Sequence, residues 1–251
     1  MCADLEEQMG KIITFVSGKG GTGKTTATGA IGSCMAAMGK KTLCLDCDIG
    51  LRNLDIVLGL SGHAMADFGL LFDGTGIDGA CIEHPQIENL YFLSAPAAYS
   101  DAFDDESAAE IFESLKESFD YVLIDAPAGI GSGFRFAVKY ADTVVIVTTG
   151  DTTGMRDGEI TTTELNKLGI TDIKLLVNKV NPGMFKGSGL TVDNVIDTVG
   201  AQLIGIVKSD EAVQLSANKE TPLVLFSKGK AAKGFLRIAR RLCGENIPLS
   251  I

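Results

Sequence analysis

The chain predicts an α/β fold: a single doubly wound domain, with a mostly parallel sheet and helices on both faces. Three observations carry that prediction. Short apolar runs alternate with helical patterns along the chain. Several of those runs are continuously apolar, as in Val122-Leu-Ile124, Val144-Val-Ile-Val147 and Leu175-Leu-Val177, which suits strands covered on both faces. A glycine-rich loop, Gly18-Lys-Gly-Gly-Thr-Gly-Lys-Thr-Thr26, stands between the first strand and the first helix.

Taken in order, Lys11-Ile-Ile-Thr-Phe-Val-Ser17 is apolar and rich in β-formers, so it reads as a buried strand. After the loop, Ala27, Ala30, Ile31, Cys34, Met35 and Met38 are spaced for one face of a helix. Further strands are expected at Thr42–Asp46, Leu90–Ser94, Tyr121–Asp125, Thr143–Thr148, Ile173–Asn178 and Leu203–Val207. Helices are expected at Ser107–Phe119, Phe134–Tyr140, Met155–Leu168, Val192–Val199, Glu211–Ala217 and Ala231–Leu242. Gly74–Gly79 reads as a turn-rich connection. In Ala231–Leu242, Phe235, Ile238, Ala239 and Leu242 fall at i, i+3, i+4 and i+7, the pattern of a helix packed on a core. Residues 1–10 form a short acidic extension, 11–243 the domain, and 244–251 a tail too short, and without the basic residues, for an interfacial anchor.

Composition narrows the classes. With 251 residues and 45% apolar content, the chain buries a substantial core. No run is long and apolar enough to span a bilayer, and the acidic start is no signal peptide. The formal charge of −10 argues against sequence-independent nucleic-acid binding, which draws on cationic patches. Six cysteines lack disulfide-scaffold spacing. Cys44 and Cys47, three apart at a strand end, point to opposite faces, which argues against a metal or redox pair. Cys44 is assigned to the core and Cys47 to the site entrance.

The loop fits the pattern G-x-x-x-x-G-K-[ST], with Gly18, Gly23, Lys24 and Thr25 at the fixed positions. Gly20, Gly21 and Gly23 let backbone N–H groups approach a polyphosphate at a helix N-terminus. Thr22 and Thr26 belong to the same cradle. Lys24 is expected to reach the β- and γ-phosphates, and Thr25 to give its hydroxyl oxygen to Mg²⁺. Ligands in doubly wound sheets sit beyond the carboxyl ends of the strands, where this sequence places Asp46, Asp48 and Asp125. Asp125 follows four apolar residues, and its carboxylate is expected to hold Mg²⁺ through coordinated water.

These residues resemble the MinD/ParA family of deviant Walker A ATPases. The second lysine of the loop, Lys19, and the segments Asp46-Cys-Asp-Ile-Gly-Leu-Arg-Asn-Leu-Asp55 and Asp125-Ala-Pro-Ala-Gly129 carry the likeness, which is greatest to the MinD branch. The resemblance implies ATP or ADP with Mg²⁺, and a homodimer that closes face to face on ATP. It implies that Lys19 crosses to the partner's phosphates and that Asp48 orients the attacking water. Asp46 would couple the switch to Mg²⁺ and Asn178 would read adenine. It further implies an activating partner protein and a switch that helps place the division septum from the cytoplasm or the inner face of the cell membrane. A membrane surface stays open as a partner, without a clear C-terminal anchor. DNA is less favoured, since only Arg237, Arg240 and Arg241 cluster. DNA partition and control of flagellar number are the alternatives within the family. Iron–sulfur chemistry of the nitrogenase iron-protein type is disfavoured, because no cysteine lies at Leu93–Pro96 or Asp125–Pro127.

Overall fold

A computed structural model describes residues 9–49, 51–63, 67–96, 105–181, 183 and 190–249. All seven expected strands form: β1 (Lys11–Val16), β2 (Thr42–Asp46), β4 (Leu90–Leu93), β5 (Tyr121–Asp125), β6 (Thr143–Thr149), β7 (Ile173–Val180) and β8 (Gln202–Lys208). An eighth, β3 (Ile82–Glu83), pairs antiparallel with β4 at one edge. Two residues are too few to show a period. The sheet order is β3-β4-β2-β5-β1-β6-β7-β8, with every pair except β3–β4 parallel. β2 and β5 lie on one side of β1 and β6 on the other, so the winding changes side at β1. Its carboxyl end is therefore the crevice where such sheets take ligands.

Two cores fill the two faces. One packs Phe112 and Leu115 of α5 (Asp105–Ser118), Phe134 of α6 (Ser132–Lys139), Leu165 of α7 (Thr152–Lys167) and Val195 of α8 (Val192–Val199) on the sheet. The other packs Ile31 and Met35 of α1 (Lys24–Ala37) with Phe235 and Ile238 of α11 (Lys230–Leu242). Cys44 lies in the second core and Cys47 in the first, as the strand alternation requires.

α1 is buried more completely than a one-faced helix, because α11, α2 (Leu54–Leu58) and the sheet all close on it. A methyl group at Gly32 would collide with the Cys44 sulfur. Phe235, Ile238, Ala239 and Leu242 of α11 are buried, so this basic amphipathic helix belongs to the core. Its arginines are engaged: Arg240 pairs with Glu245, and Arg241 donates to the carbonyls of Ile204, Ile247 and Pro248.

Within the expected turn at Gly74–Gly79 begins a short helix, α4 (Ile77–Ala80); α3 (Gly69–Phe72) precedes it. α9 (Glu211–Asn218), capped by the Asp210 carboxylate, and α10 (Leu223–Phe226) complete the chain. Among the described residues, no helix is long and apolar enough to cross a membrane.

Candidate functional site

The loop leaves β1 and enters α1 through Gly23, whose φ of 91° and close approach to the Asn178 amide both require glycine. Gly21 has φ 81°. A methyl group on Gly20 or Gly21 would meet nothing within 4 Å, so this stretch of backbone is open to a ligand. α1 has no side-chain cap and no acidic residue in its first turn, so its leading N–H groups face no competing carboxylate. Thr25 and Thr26 are half-buried in that turn. The Thr22 hydroxyl is buried without a hydrogen-bond partner among the described residues. An open glycine cradle, free helix amides and an orphaned hydroxyl fit a polyphosphate.

Behind the loop, side chains from distant strands hold its carbonyls. Asn178 Nδ2 donates to Thr22 O at 2.9 Å, and Lys179 Nζ donates to Gly21 O at 2.7 Å. The Gly129 N–H donates to Ser17 O at 2.9 Å, and the Ser17 hydroxyl to Lys19 O at 3.0 Å. Gly18 lies against α7, where a methyl group would clash with Asp157.

Lys24 and Asp125, given separate duties by the sequence, are joined. Nζ donates to Asp125 Oδ1 at 2.6 Å, and both side chains are buried. Asp46 stands beside Asp125 in register across β2 and β5. Burial, and then the Asp125 charge, push the Asp46 carboxyl up to about 7. The N–H groups of Asp48, at 2.8 Å, and Leu54, at 3.3 Å, donate to its oxygens and resist that rise. Burial also raises the half-buried Asp48. Among the described residues no three His, Cys, Asp or Glu side chains form a metal cage. Hard oxygens at the strand ends, too few to enclose an ion, fit Mg²⁺, which keeps waters and shares its shell with phosphates.

Lys19 is held within its own chain, 3.6 Å from Asp151 and 3.8 Å from Asp157 at the start of α7. No local spacing in the chain signals either partner. Arg52 pairs with Asp67 at 3.5 Å and donates to Ala95 O. It thereby ties the segment after Asp48 to the end of β4; Gly50, within that segment, lies outside the described residues, as does Pro182 after Asn178. Cys47 does not line the entrance. It is 1% exposed, and its N–H continues the sheet by donating to Asp125 O at 2.9 Å.

Comparison with known proteins agrees with this geometry. Residues 10–169 match the family described as AAA domain. The septum site-determining protein MinD of Synechocystis sp. is 40% identical over 244 residues, covering 96% of this chain and 92% of that protein. The same-named protein of Bacillus subtilis is 35% identical, with 97% and 92% covered. Among solved structures, the MinC:MinD cell division protein complex of Aquifex aeolicus superposes with a TM-score of 0.89 at 36% identity, covering 96% of this chain and 98% of that one. MinD of Pyrococcus horikoshii, complexed with Mg-ADP, gives 0.81 at 26%, with 93% and 96% covered. The chain belongs to the MinD family of septum site-determining proteins, within the MinD/ParA class of phosphate-loop folds.

Proposed function

We propose that this protein is a Mg²⁺-dependent ATPase whose nucleotide state switches it between monomer and dimer and so helps to place the division septum. The observation that carries the proposal is the buried Lys24 ammonium, set at the N-terminus of α1 between an open glycine loop and the paired carboxylates of Asp46 and Asp125. In a nucleotide complex, Lys24 exchanges the Asp125 oxygen for phosphate oxygens. That exchange would free the Asp125 carboxylate, which through water and together with the Thr25 hydroxyl would hold Mg²⁺. The N–H groups of Gly18, Gly20, Gly21, Gly23 and Thr26 line the phosphates, and Asn178 reads the adenine with the amide hydrogen and lone pair left over from its bonds to Thr22 O and the Lys179 N–H. Mg²⁺, when bound, neutralises charge on the transferring phosphoryl group.

Asp48, next to the Asp46 carboxylate that accepts its N–H, orients the attacking water. Lys19 leaves Asp151 and Asp157 for the phosphates of a second copy, which makes dimer closure and hydrolysis one event. The Mg-ADP complex of the Pyrococcus horikoshii relative supports the cofactors, and the MinC:MinD complex of the Aquifex aeolicus relative supports a protein partner. A partner stimulates turnover at the closed dimer, from the cytoplasm or the inner membrane face. DNA partition loses support because Arg240 and Arg241 are engaged with Glu245 and backbone carbonyls.

The test is Lys19→Ala. Equilibrium binding of Mg-ATP is kept, while steady-state hydrolysis and ATP-dependent dimerisation by light scattering are lost. Unchanged turnover in that variant contradicts the trans role of Lys19.

A further inference from the structure

We propose that Lys179 is a positioning residue of the nucleotide site: together with Asn178 it braces the phosphate loop from behind and so aims the loop's N–H groups at the polyphosphate. The proposal rests on reading the loop as a nucleotide site and adds a residue outside the loop motif to it.

The peptide plane supplies the reason. In a trans peptide the C=O and the following N–H point in opposite directions. Lys179 Nζ holds Gly21 O at 2.7 Å from behind, which turns the Thr22 N–H the other way. Asn178 Nδ2 holds Thr22 O at 2.9 Å, which turns the Gly23 N–H the same way. Two successive amides with a common direction make an anion-binding concavity. Nothing stands within 4 Å of a methyl group placed on Gly20 or Gly21, so the cradle beside these amides is unobstructed.

The backbone of Lys179 is unusual in the way such a brace needs. Successive side chains on a strand point to opposite faces, so Asn178 and Lys179 could not both reach one loop from a regular β7. Lys179 instead has φ 57°, in the left-handed region that a lysine rarely adopts. The pairing of β7 with β8 is irregular between Val177 and Val180. The Asn178 Oδ1 atom accepts the Lys179 N–H at 2.9 Å, which fixes this kink. The local distortion brings both side chains to consecutive carbonyls of the same loop. Because Lys179 is exposed, its contact adds little to folding stability. Its effect belongs to ligand binding.

The test titrates Mg-ADP into the full-length protein, followed by a fluorescent nucleotide in competition, for the parent, Lys179→Gly and Lys179→Arg. Glycine accepts the left-handed backbone, so Lys179→Gly removes the amine without straining the fold. The expected result is a dissociation constant raised about tenfold in Lys179→Gly, the scale of one charge-assisted hydrogen bond. The urea unfolding midpoint without nucleotide does not fall, and Lys179→Arg restores most of the affinity. Parent-like affinity in Lys179→Gly overturns the proposal. So does an affinity loss matched by a lower unfolding midpoint and not restored by arginine, since Lys179 would then serve the fold. A parent protein that does not bind Mg-ADP overturns the nucleotide assignment itself along with the brace, and so separates the two failures.

Discussion

Lys24 and Asp125 form a buried ion pair at 2.6 Å, and such a pair is costly to break from one side. Lys24→Ala is expected to abolish nucleotide binding and to lower unfolding free energy by about 3–5 kcal/mol, measured by urea titration, because it leaves a buried carboxylate without its partner. Asp46 gives a second residue-level prediction. Its folded carboxyl holds a proton up to about pH 7, whereas 3.8 is its ordinary value. Between those values the folded state binds more protons than the unfolded one. The contribution of Asp46 to stability therefore falls as pH rises from about 4 to 7 and is level above that, whereas buried His84, held below its ordinary value, contributes with the opposite sign. Asp151, Asp172 and Asp210 are held below the usual carboxylate range, so their contribution has the opposite sign and is lost in more acidic solution. In magnesium-free buffer, Asp46→Asn is expected to remove a decline of about 2–4 kcal/mol across that window. Urea midpoints measured at several pH values check it, and an unchanged slope contradicts it.

Phe235 on α11 is 1% exposed and packs in the core that supports α1, the helix whose first turn carries Lys24, Thr25 and Thr26. Phe235→Ala is expected to cost about 3–5 kcal/mol by leaving a cavity there. Calorimetric unfolding checks the loss, and a change within error contradicts the assignment of α11 to the core. At this scale the sequence was legible where patterns run long. β5, β6 and β7 each contain a continuous apolar run, and α11 repeats its apolar residues over three turns. β3, α2, α3, α4 and α10 span two to five residues, too few for a period of two or of 3.6 to register. The loop and the strand-end aspartates were legible because their meaning lies in local spacing. The pairs that organise them were not. Lys24 meets Asp125 across 101 positions and Lys179 meets Gly21 across 158, and no local pattern encodes such contacts. Lys19–Asp151 and Arg52–Asp67 escaped for the same reason.

Across the whole molecule, the sheet order sets β1 where the winding changes side, and every element of the site converges on its carboxyl end. The loop follows β1, Asp46 ends β2 and Asp48 follows it, Asp125 ends β5, and Asn178 and Lys179 kink β7. Four strands thus aim Lys24, three carboxylates and a row of amides at a single crevice. The proposed switch requires that crevice to take a magnesium-bound adenosine triphosphate. Isothermal calorimetry of the folded protein with ATP and Mg²⁺ tests this most directly. The expected result is a saturable heat with one nucleotide per chain, lost in Lys24→Ala. Absence of any binding heat at several temperatures, from protein shown to be folded, would contradict it.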